Sequence, residues 1–598
     1  MNRREALKAL ASGSALAALS LHAPDVVVGA ETAAAAAADV PRKPIERDGV
    51  QFWLETSLKR VYPNSPAGGA EPLSLLAARN QKLSFQACFA NGKTNSIRMR
   101  CEVSVAAEGW RVQVRRVGFV PFRNFNTYTP ADELEGIGQL PGLCPDPLFP
   151  ETTAHVGPKS NGVFWISLMA PKGATTGSHR ITVRLTLEDE FGYTDWARPK
   201  PWSVELAVTV EVVPLTIRPR KDFHATQWIS ADSIWEWYKI EPCGERFWAL
   251  AEAYVANVVA HDVDVIYTPL FNNRHEILKR PAQLLRVTRT APDVYAFDFT
   301  DVQRWVRIAL KSGASYIEWP HFFTPAPTSA RYPQRVFHRD AAGIGELLWP
   351  PETPATGDTY RKFLEQFIPQ FKKFLESEGV FDKSLFHCAD EPDGDVQMAD
   401  YRKARALLKG LAPWMKVMDA MSDPRFATDR LSDMPVPSIA TAPAFTAAGC
   451  PAWTYFCCGP REKFLQRLLD TPLAKIRMSG WLFYRLGAKG FLHWGHNYWF
   501  VFCTSTIGDP FNDAAAGAWP GLPAGDPFVV YPGPDGPIDS IRWEVFSESL
   551  QDYAILQSAG IAPDDALLAE IKDYRDFPKS DAWIRRAIEK VLKSHQGV

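Results

Sequence analysis

From about residue 45 to residue 215, apolar and polar side chains alternate, as in Leu83-Ser84-Phe85-Gln86-Ala87-Cys88 and Arg111-Val112-Gln113-Val114, and Gly, Pro and Asn break the runs. A period of two places every second side chain on one face of a strand, so the region 45–215 reads as an all-β sandwich. Its clearest strands are 162–168, 181–187 and 204–213, with 171–177 as a turn, and the proline-bearing segment 214–219 reads as an interdomain link.

Beyond about residue 222, short apolar runs alternate with long amphipathic stretches, the texture of α/β units around a parallel sheet. Candidate strands lie at 223–229, 263–268, 315–319, 384–389, 415–420, 437–441, 452–457 and 491–494. That is eight, the count that closes a (β/α)8 TIM-type barrel. Helices are expected at 246–260, 302–311, 360–378 and 396–409, with an outer helix at 541–556. The expected architecture is multidomain: the N-terminal sandwich, a barrel over 222–556 and a small helical tail over 557–598. A chain of 598 residues exceeds what one core supports, which agrees with this division.

Composition narrows the partners. The formal charge is only −2 and no basic cluster stands out, so neither nucleic acid nor an anionic membrane surface is expected. Aromatic residues are abundant, with 20 Trp, 17 Tyr and 35 Phe, and aromatic faces pack on the apolar faces of sugar rings as well as in ordinary cores. The N-terminus reads as an export signal: Arg3-Arg4 precede an apolar stretch from Ala9 to Leu21, and Val28-Gly29-Ala30 suits cleavage. The paired arginines point to the twin-arginine route, although Asn2 and Ala6 depart from its usual pattern. The stretch is too short for a membrane span, and the alanine run 33–38 reads as a disordered junction, so residues 1–40 are set apart from the fold. The expected location is periplasmic or extracellular. Nine cysteines without a C-x-x-C pair, two of them adjacent at Cys457-Cys458, read as buried thiols. His493 and His496 lack an evident third ligand, and neither a metal nor any other cofactor is expected.

Candidate chemistry concentrates at Phe386-His387-Cys388-Ala389-Asp390-Glu391-Pro392, a strand-like run that ends in adjacent carboxylates and a proline. Glycoside cleavage commonly uses two carboxyl groups in different protonation states at one sugar. Neighbouring strand residues face opposite ways, so Asp390 and Glu391 can share a pocket only where the strand ends and the backbone bends, and Pro392 helps to impose that ending. Barrel sites lie at the C-terminal ends of strands, and the other strand ends offer Trp319, Tyr455, Trp494, Asn497 and Trp499. Asp526 follows a glycine in a proline-rich loop, where a turn-forming Asp is equally natural. His387 reads as a packed core histidine. Arg542, Glu544 and Asp552 read as salt-bridged residues on or near a helix.

On these residues the chain resembles glycoside hydrolase family 123 and the related domain-of-unknown-function-4091 proteins, whose characterised members are β-N-acetylgalactosaminidases. The resemblance rests on Phe164-Trp165-Ile166 through Thr176-Gly177-Ser178-His179, Phe297-Asp298-Phe299-Thr300, Asp390-Glu391-Pro392, Gly490-Phe491-Leu492-His493-Trp494 with Asn497 and Trp499, Gly525-Asp526 with Tyr531-Pro532, Ser540-Ile541-Arg542-Trp543-Glu544 and Gln551-Asp552-Tyr553. It implies a substrate-assisted mechanism on a β-linked N-acetylhexosamine. Glu391 would be the general acid and then base, and Asp390 would hold the 2-acetamido N–H. Tyr455 would bond the acetamido oxygen, Trp494 or Trp499 would floor the sugar pocket, and Asn497 and Asp526 would bind hydroxyls. Three alternatives stay open: a hydrolase of another glycan with Glu318 or Asp419 as protein nucleophile, a specificity altered by segment 325–354 overhanging the pocket, and a non-catalytic carbohydrate-binding protein.

Overall fold

The computed structural model describes residues 43–69, 72–191, 200–271, 282–324, 330–450, 453–517 and 522–594. The expected export segment 1–40 lies outside them, as do residues 325–329 of the overhanging segment, the first residue of the strand expected at 452–457 and the last four residues of the tail.

The alternating N-terminal sequence forms two packed sheets. One has six strands in the order Ile45–Arg47, Val50–Thr56, Lys82–Asn91, Ser160–Met169, Arg111–Phe122, Gly142–Phe149, and the other has five in the order Leu73–Arg79, Trp202–Thr216, Gly177–Phe191, Ser96–Val105, Thr153–Val156. Every second residue of Leu83-Ser84-Phe85-Gln86-Ala87 faces the opposite sheet: Phe85 and Ala87, with Phe164 and Ile166, meet Ile181, Val183, Leu185, Val208 and Val210 in a closed apolar core. The strand Trp202–Thr216 runs through Pro214, so the link expected at 214–219 is shorter than the prolines suggest. Pro214 is accommodated where the ladder to Leu73–Arg79 shifts register between Val213 and Thr216, a place that needs no N–H donor.

The second half contains eight short strands, named here in chain order: β1 (His224–Gln227), β2 (Val265–Tyr267), β3 (Tyr316–His321), β4 (Ser384–His387), β5 (Met418–Ala420), β6 (Met434–Val436), β7 (Thr454–Tyr455) and β8 (Gly490–His493). Six of them form one curled, all-parallel half-barrel in the order β4-β3-β2-β1-β8-β7, and β5 pairs in parallel with β6. Single parallel bridges, Phe386 to Val417 and Ser438 to Tyr455, lie beside that pair. The sixth strand was expected at 437–441. It lies earlier, at Met434–Val436, because residues 438–442 turn into a short helix started by Pro443.

Helices α1 (Glu245–Ala260), α2 (Thr300–Ser312), α3 (Asp358–Ser377), α4 (Gly394–Leu411) and α6 (Ile541–Ser558) fall close to the stretches where helices were expected, and the buried helix α5 (Leu473–Arg485) is additional. The clearest apolar stripe is on α3, where Phe363, Phe367, Phe371 and Phe374 recur at three- and four-residue spacing and are buried. Phe371 meets the Trp319 ring edge-on at 4.8 Å and Phe386 at 6.2 Å, so the stripe seals the backs of β3 and β4. Between β2 and α3 the chain adds a four-stranded antiparallel sheet of Val294–Asp298, Arg286–Ala291, Phe337–Asp340 and Gly343–Leu347. Part of the segment expected to overhang the pocket is thus taken up in that sheet, while Gln334 still donates to the His321 carbonyl at 2.9 Å at the end of β3.

The two halves share a core, and buried charge crosses it. Arg542 of α6 holds Asp146 of the sandwich with both its Nε and Nη2 at 3.0 Å, and neither side chain touches solvent. Arg115 of the sandwich reaches Glu544 at 2.8 Å and Asp539 at 2.6 Å. Helices α5 and α6 approach so closely at Gly480 that a Cβ there would lie 1.7 Å from the Ser549 carbonyl oxygen. Removing one partner of a buried pair strands the other charge, so Asp146→Ala is expected to lower stability by roughly 3 to 5 kcal/mol. Equilibrium urea unfolding measures it, and a loss no larger than that of an exposed carboxylate would contradict the role given to the pair.

Candidate active site

Asp390 and Glu391 follow the C-terminal end of β4, where the chain leaves the sheet. The ladder continues past the strands, with Phe322 N donating to the His387 carbonyl and Phe323 N to that of Cys388, both at 3.0 Å, which sets Asp390 Oδ1 3.9 Å from His321 Nε2. One residue on, the backbone N–H of Glu391 bonds to the Ala420 carbonyl at the end of β5, 2.9 Å away. To make that turn Glu391 adopts φ +44°, in the left-handed region that non-glycine residues rarely enter. The two successive carboxylates thus follow the strand end at a bend, Asp390 beside His321 of β3 and Glu391 beside Tyr455 of β7. Both are largely buried, at 5% and 6% exposure.

Tyr455, at the end of β7, donates its hydroxyl to Glu391 Oε1 at 2.6 Å. Burial, reinforced by the Glu391 carboxylate, pushes the phenol well above its ordinary value, so it stays a donor. Trp494 bonds through its indole N–H to Asp526 Oδ2 at 3.0 Å, and His493 Nε2 lies 3.5 Å from the other oxygen. His493 accepts from the Gly495 N–H at Nδ1. Burial, helped by Arg467 and Arg542, pushes this imidazole down to about 4, so it is neutral, with its proton on the Asp526 side. Tyr455, Trp494 and Tyr498 belong to one apolar cluster inside the curled sheet.

Three strand-end residues face elsewhere. Trp319 is wholly buried against α3 and its indole N–H bonds to Ser384 at 2.9 Å. Asn497 spends its amide on the backbone of Ser230, accepting from N at 2.7 Å and donating to O at 3.1 Å. Trp499 donates to the Val530 carbonyl and packs against Trp237 and Tyr254. Each of the three spends a side-chain bond on the scaffold. The pattern of the sequence could not separate them from pocket residues, since strand-end position alone does not say which way a ring turns. The same criterion applied to β1 would have found Trp228, which is half-buried one residue past that strand, stacks on Tyr267 at 5.0 Å and meets His321 and His387 edge-on.

Beneath the acid pair sits a buried charge network. His387 bonds Glu318 Oε1 through Nε2 at 2.7 Å and lies 3.3 Å from Asp419 Oδ1 through Nδ1. Burial alone would lower its basicity, but bonds to the two carboxylates outweigh it and hold the imidazole at about 9, protonated at neutral pH. Glu318 is further bonded by Trp228 Nε1 at 2.8 Å and by the Thr226 hydroxyl. Asp419 takes the Tyr401 hydroxyl at 2.5 Å and the Cys388 N–H at 2.9 Å. Among the described residues two groups bring metal-ligand atoms together, His321/His387/Asp419 and His261/Asp539/Glu544. A protonated His387 fills the first with its own positive charge, and Arg115 and Lys82 fill the second, so neither suits a further cation as it stands. Cys457 and Cys458 are buried thiols with Sγ atoms 3.7 Å apart. Glu544 and Asp552 are taken up by Arg115 and Arg477 in the helical layer, away from the acid pair.

The family model "Glycoside hydrolase 123, catalytic domain" matches residues 228–559, a range that is more than half of the chain and contains strands β2 to β8. The chain belongs to glycoside hydrolase family 123. As a family 123 chain it is a glycoside hydrolase, acting on glycans. A family 123 enzyme from Clostridium perfringens, solved in a study of glycolipid glycan hydrolysis, shares the fold at 14% identity and a TM-score of 0.68, over 92% of this chain and 97% of that one. A GH10 xylanase with a bacterial Ig-like domain, from termite gut, aligns at 9% identity and a TM-score of 0.30 over 81% of this chain and all of its own, too low to bear on the fold. No curated protein matches the chain.

The His387 network has a pH signature. Its folded-state value of about 9 exceeds the ordinary 6.5, so its contribution, at most about 3 kcal/mol, is complete below pH 6.5 and is lost as pH rises through 9. His387→Gln should flatten that part of the stability profile, as measured by unfolding at a series of pH values. An unchanged slope would show that His387 is not protonated in the fold.

Proposed function

We propose that this chain removes β-linked N-acetylgalactosamine from glycans by substrate-assisted, retaining hydrolysis, with Glu391 as general acid and base and Asp390 as the group that orients the substrate's acetamide. The observation that supports this reading is the turn at the end of β4, where Glu391 takes φ +44°, bonds through its N–H to the Ala420 carbonyl and accepts the Tyr455 hydroxyl at its carboxylate. In the first step the acetamido oxygen attacks the anomeric carbon as the bond to the departing oxygen breaks, and Glu391 gives that oxygen its proton. Asp390 accepts the acetamide N–H and stabilises the positive charge of the forming oxazolinium. In the second step Glu391 takes a proton from water, which opens the ring with overall retention. The nucleophile arrives with the substrate, which supplies the proximity advantage of an intramolecular reaction and dispenses with a carboxylate across the sugar. Tyr455 holds Glu391 Oε1 before substrate arrives, and Trp228 offers the half-buried ring best placed as a pocket wall.

The second reading, a protein nucleophile at Glu318 or Asp419, finds less support. Both carboxylates are fully buried and already carry His387 and two further donors each, so attack would first have to break three bonds to the nucleophile. We further read the eight parallel strands as a (β/α)8 barrel, a reading supported by the single bridges that flank β5 and β6. A site at the C-terminal strand ends then follows the general rule for that architecture.

Two outcomes are expected. Glu391→Gln should slow substrates with poor leaving groups by about 10²- to 10⁴-fold and activated aryl glycosides far less, whereas Asp390→Asn should lose a transition-state hydrogen bond worth about 2.7 to 4 kcal/mol and, with it, tight binding of a thiazoline mimic of the oxazoline. A chromogenic panel with and without the 2-acetamido group reads the substrate directly. Equal cleavage of plain galactosides, or a sugar trapped covalently on Glu318 or Asp419, would overturn substrate assistance.

We also propose export, on the strength of Arg3-Arg4 and the apolar stretch that follows. The mature protein recovered from its native host should begin after about Ala30, and replacing both arginines by lysine should leave it in the cytoplasm. N-terminal sequencing that finds Met1 in place on cytoplasmic protein would rule this out.

A further inference from the structure

The connection between the sandwich strands Arg111–Phe122 and Gly142–Phe149 leaves the sandwich and reaches the strand-end face of the half-barrel. Asn126 and Thr127, both buried, make the crossing. Asn126 donates to the Leu522 carbonyl at 2.5 Å and accepts from Ala524 N at 3.2 Å, while Thr127 donates to Asp470 Oδ2 at 2.7 Å. Arg461 completes the seam, with Nε on the Cys458 carbonyl at 2.5 Å and Nη1 on the carbonyl of Asn126. Leu522 packs in the same apolar cluster as Tyr455 and Trp494, and Asp526 follows Ala524 by two residues. The connection is therefore continuous with the rim of the site.

On either side of these buried anchors a large aromatic ring faces solvent. Phe125 is 42% exposed and Tyr128 57% exposed, and with Ile137 and Leu143 they make four of the eight exposed large apolar side chains among the described residues, all within residues 125–143. Scattered single exposures are ordinary, but a concentration of this kind on one short segment beside a cleft marks a binding surface. The rings are also held in place. Tyr128 has φ +55° and its ring lies over the Arg461 guanidinium at 5.2 Å, and Phe125 packs edge-on against Phe122 at 5.3 Å. Fixed, exposed aromatic faces suit the apolar faces of pyranose rings, and exposed rings held this way lose little freedom on binding.

We propose that Phe125 and Tyr128 form a platform for the sugar residues on the aglycone side of the scissile bond, so that the N-terminal sandwich takes part in choosing the glycan. The side follows from the acid. A general acid must face the departing oxygen, Tyr455 is bonded to Glu391, and the segment from Cys457 to Arg461 continues from Tyr455 toward the platform. The inference rests on Glu391 being the acid.

The test compares two substrates that carry the same sugar: an oligosaccharide with several residues beyond the scissile bond, and the glycosyl fluoride, whose leaving group has no ring to stack. The sugar is whichever one the chromogenic panel shows the wild type to release. A wrong choice of N-acetylgalactosamine thus changes the reagents and leaves the comparison intact. The Phe125→Ala/Tyr128→Ser double variant should raise KM for the oligosaccharide by about tenfold, the equivalent of about 1.4 kcal/mol, with KM for the fluoride unchanged. Tyr128→Phe, which keeps the ring, should behave as wild type. The proposal falls if KM for the oligosaccharide is unchanged, if both substrates shift together, or if the double variant alters only self-association on sedimentation, which would make the rings a contact between copies of the chain.

Discussion

One guanidinium holds the site loops to the frame. All five N–H groups of Arg542 are used: Nε and Nη2 on Asp146, Nη2 also on the Phe528 carbonyl, and Nη1 on the carbonyls of Gly525 and Arg467. Tyr531 supplies a further donor to Asp146 at 2.7 Å. A sandwich strand, an outer helix and the two loops that carry Arg467 and Asp526 therefore meet at a single wholly buried side chain. Burial alone would weaken the guanidinium, but Asp146 more than offsets it, and the charge is kept. Gly525 has to approach this side chain closely. It has φ +91°, and a Cβ there would sit 3.0 Å from Arg542 Nη1 and 2.6 Å from the Leu469 nitrogen.

Electrostatics at the site are layered. Past the end of β4 are two carboxylates at a chain bend. Beneath them one protonated imidazole separates two more carboxylates, and the Coulombic cost of four acids in one small region is met by that cation and by donors from Thr226, Trp228, Tyr401 and the Cys388 N–H. A lower layer so fully committed leaves little freedom for its carboxylates to react. In this respect the fold gives chemically similar groups different surroundings through the partners it supplies.

Much of this architecture was legible in the sequence because its signals are local. Alternation in Leu83–Cys88 and the three- and four-residue spacing of phenylalanines on α3 each depend only on period, and both elements appear where that period put them. Asp390-Glu391-Pro392 was legible as a strand terminus for the same reason. What eluded the sequence depends on direction and on distance along the chain. Trp319, Asn497 and Trp499 stand at strand ends, yet each spends its polar atoms on the scaffold, and nothing in a linear pattern reveals that Asn497 would grip Ser230. The antiparallel sheet built from residues 286–298 and 337–347 was hidden because its two hairpins lie about forty residues apart with a disguise of prolines between them. Pro435 and Pro437 likewise blurred the sixth strand, whose pairing with β5 is short and confined to one edge.

The left-handed backbone at Glu391 has a thermodynamic corollary. A side chain at φ +44° is opposed by contact with its own carbonyl at a cost of roughly 1 to 2 kcal/mol that glycine would not incur. Folding alone would therefore favour glycine at this position, although it would forfeit the bond that Tyr455 makes to the carboxylate. A screen for thermal stability that took no account of turnover would be drawn toward Glu391→Gly, and would remove the carboxylate that Tyr455 holds. At this position local backbone energetics and side-chain identity pull in opposite directions.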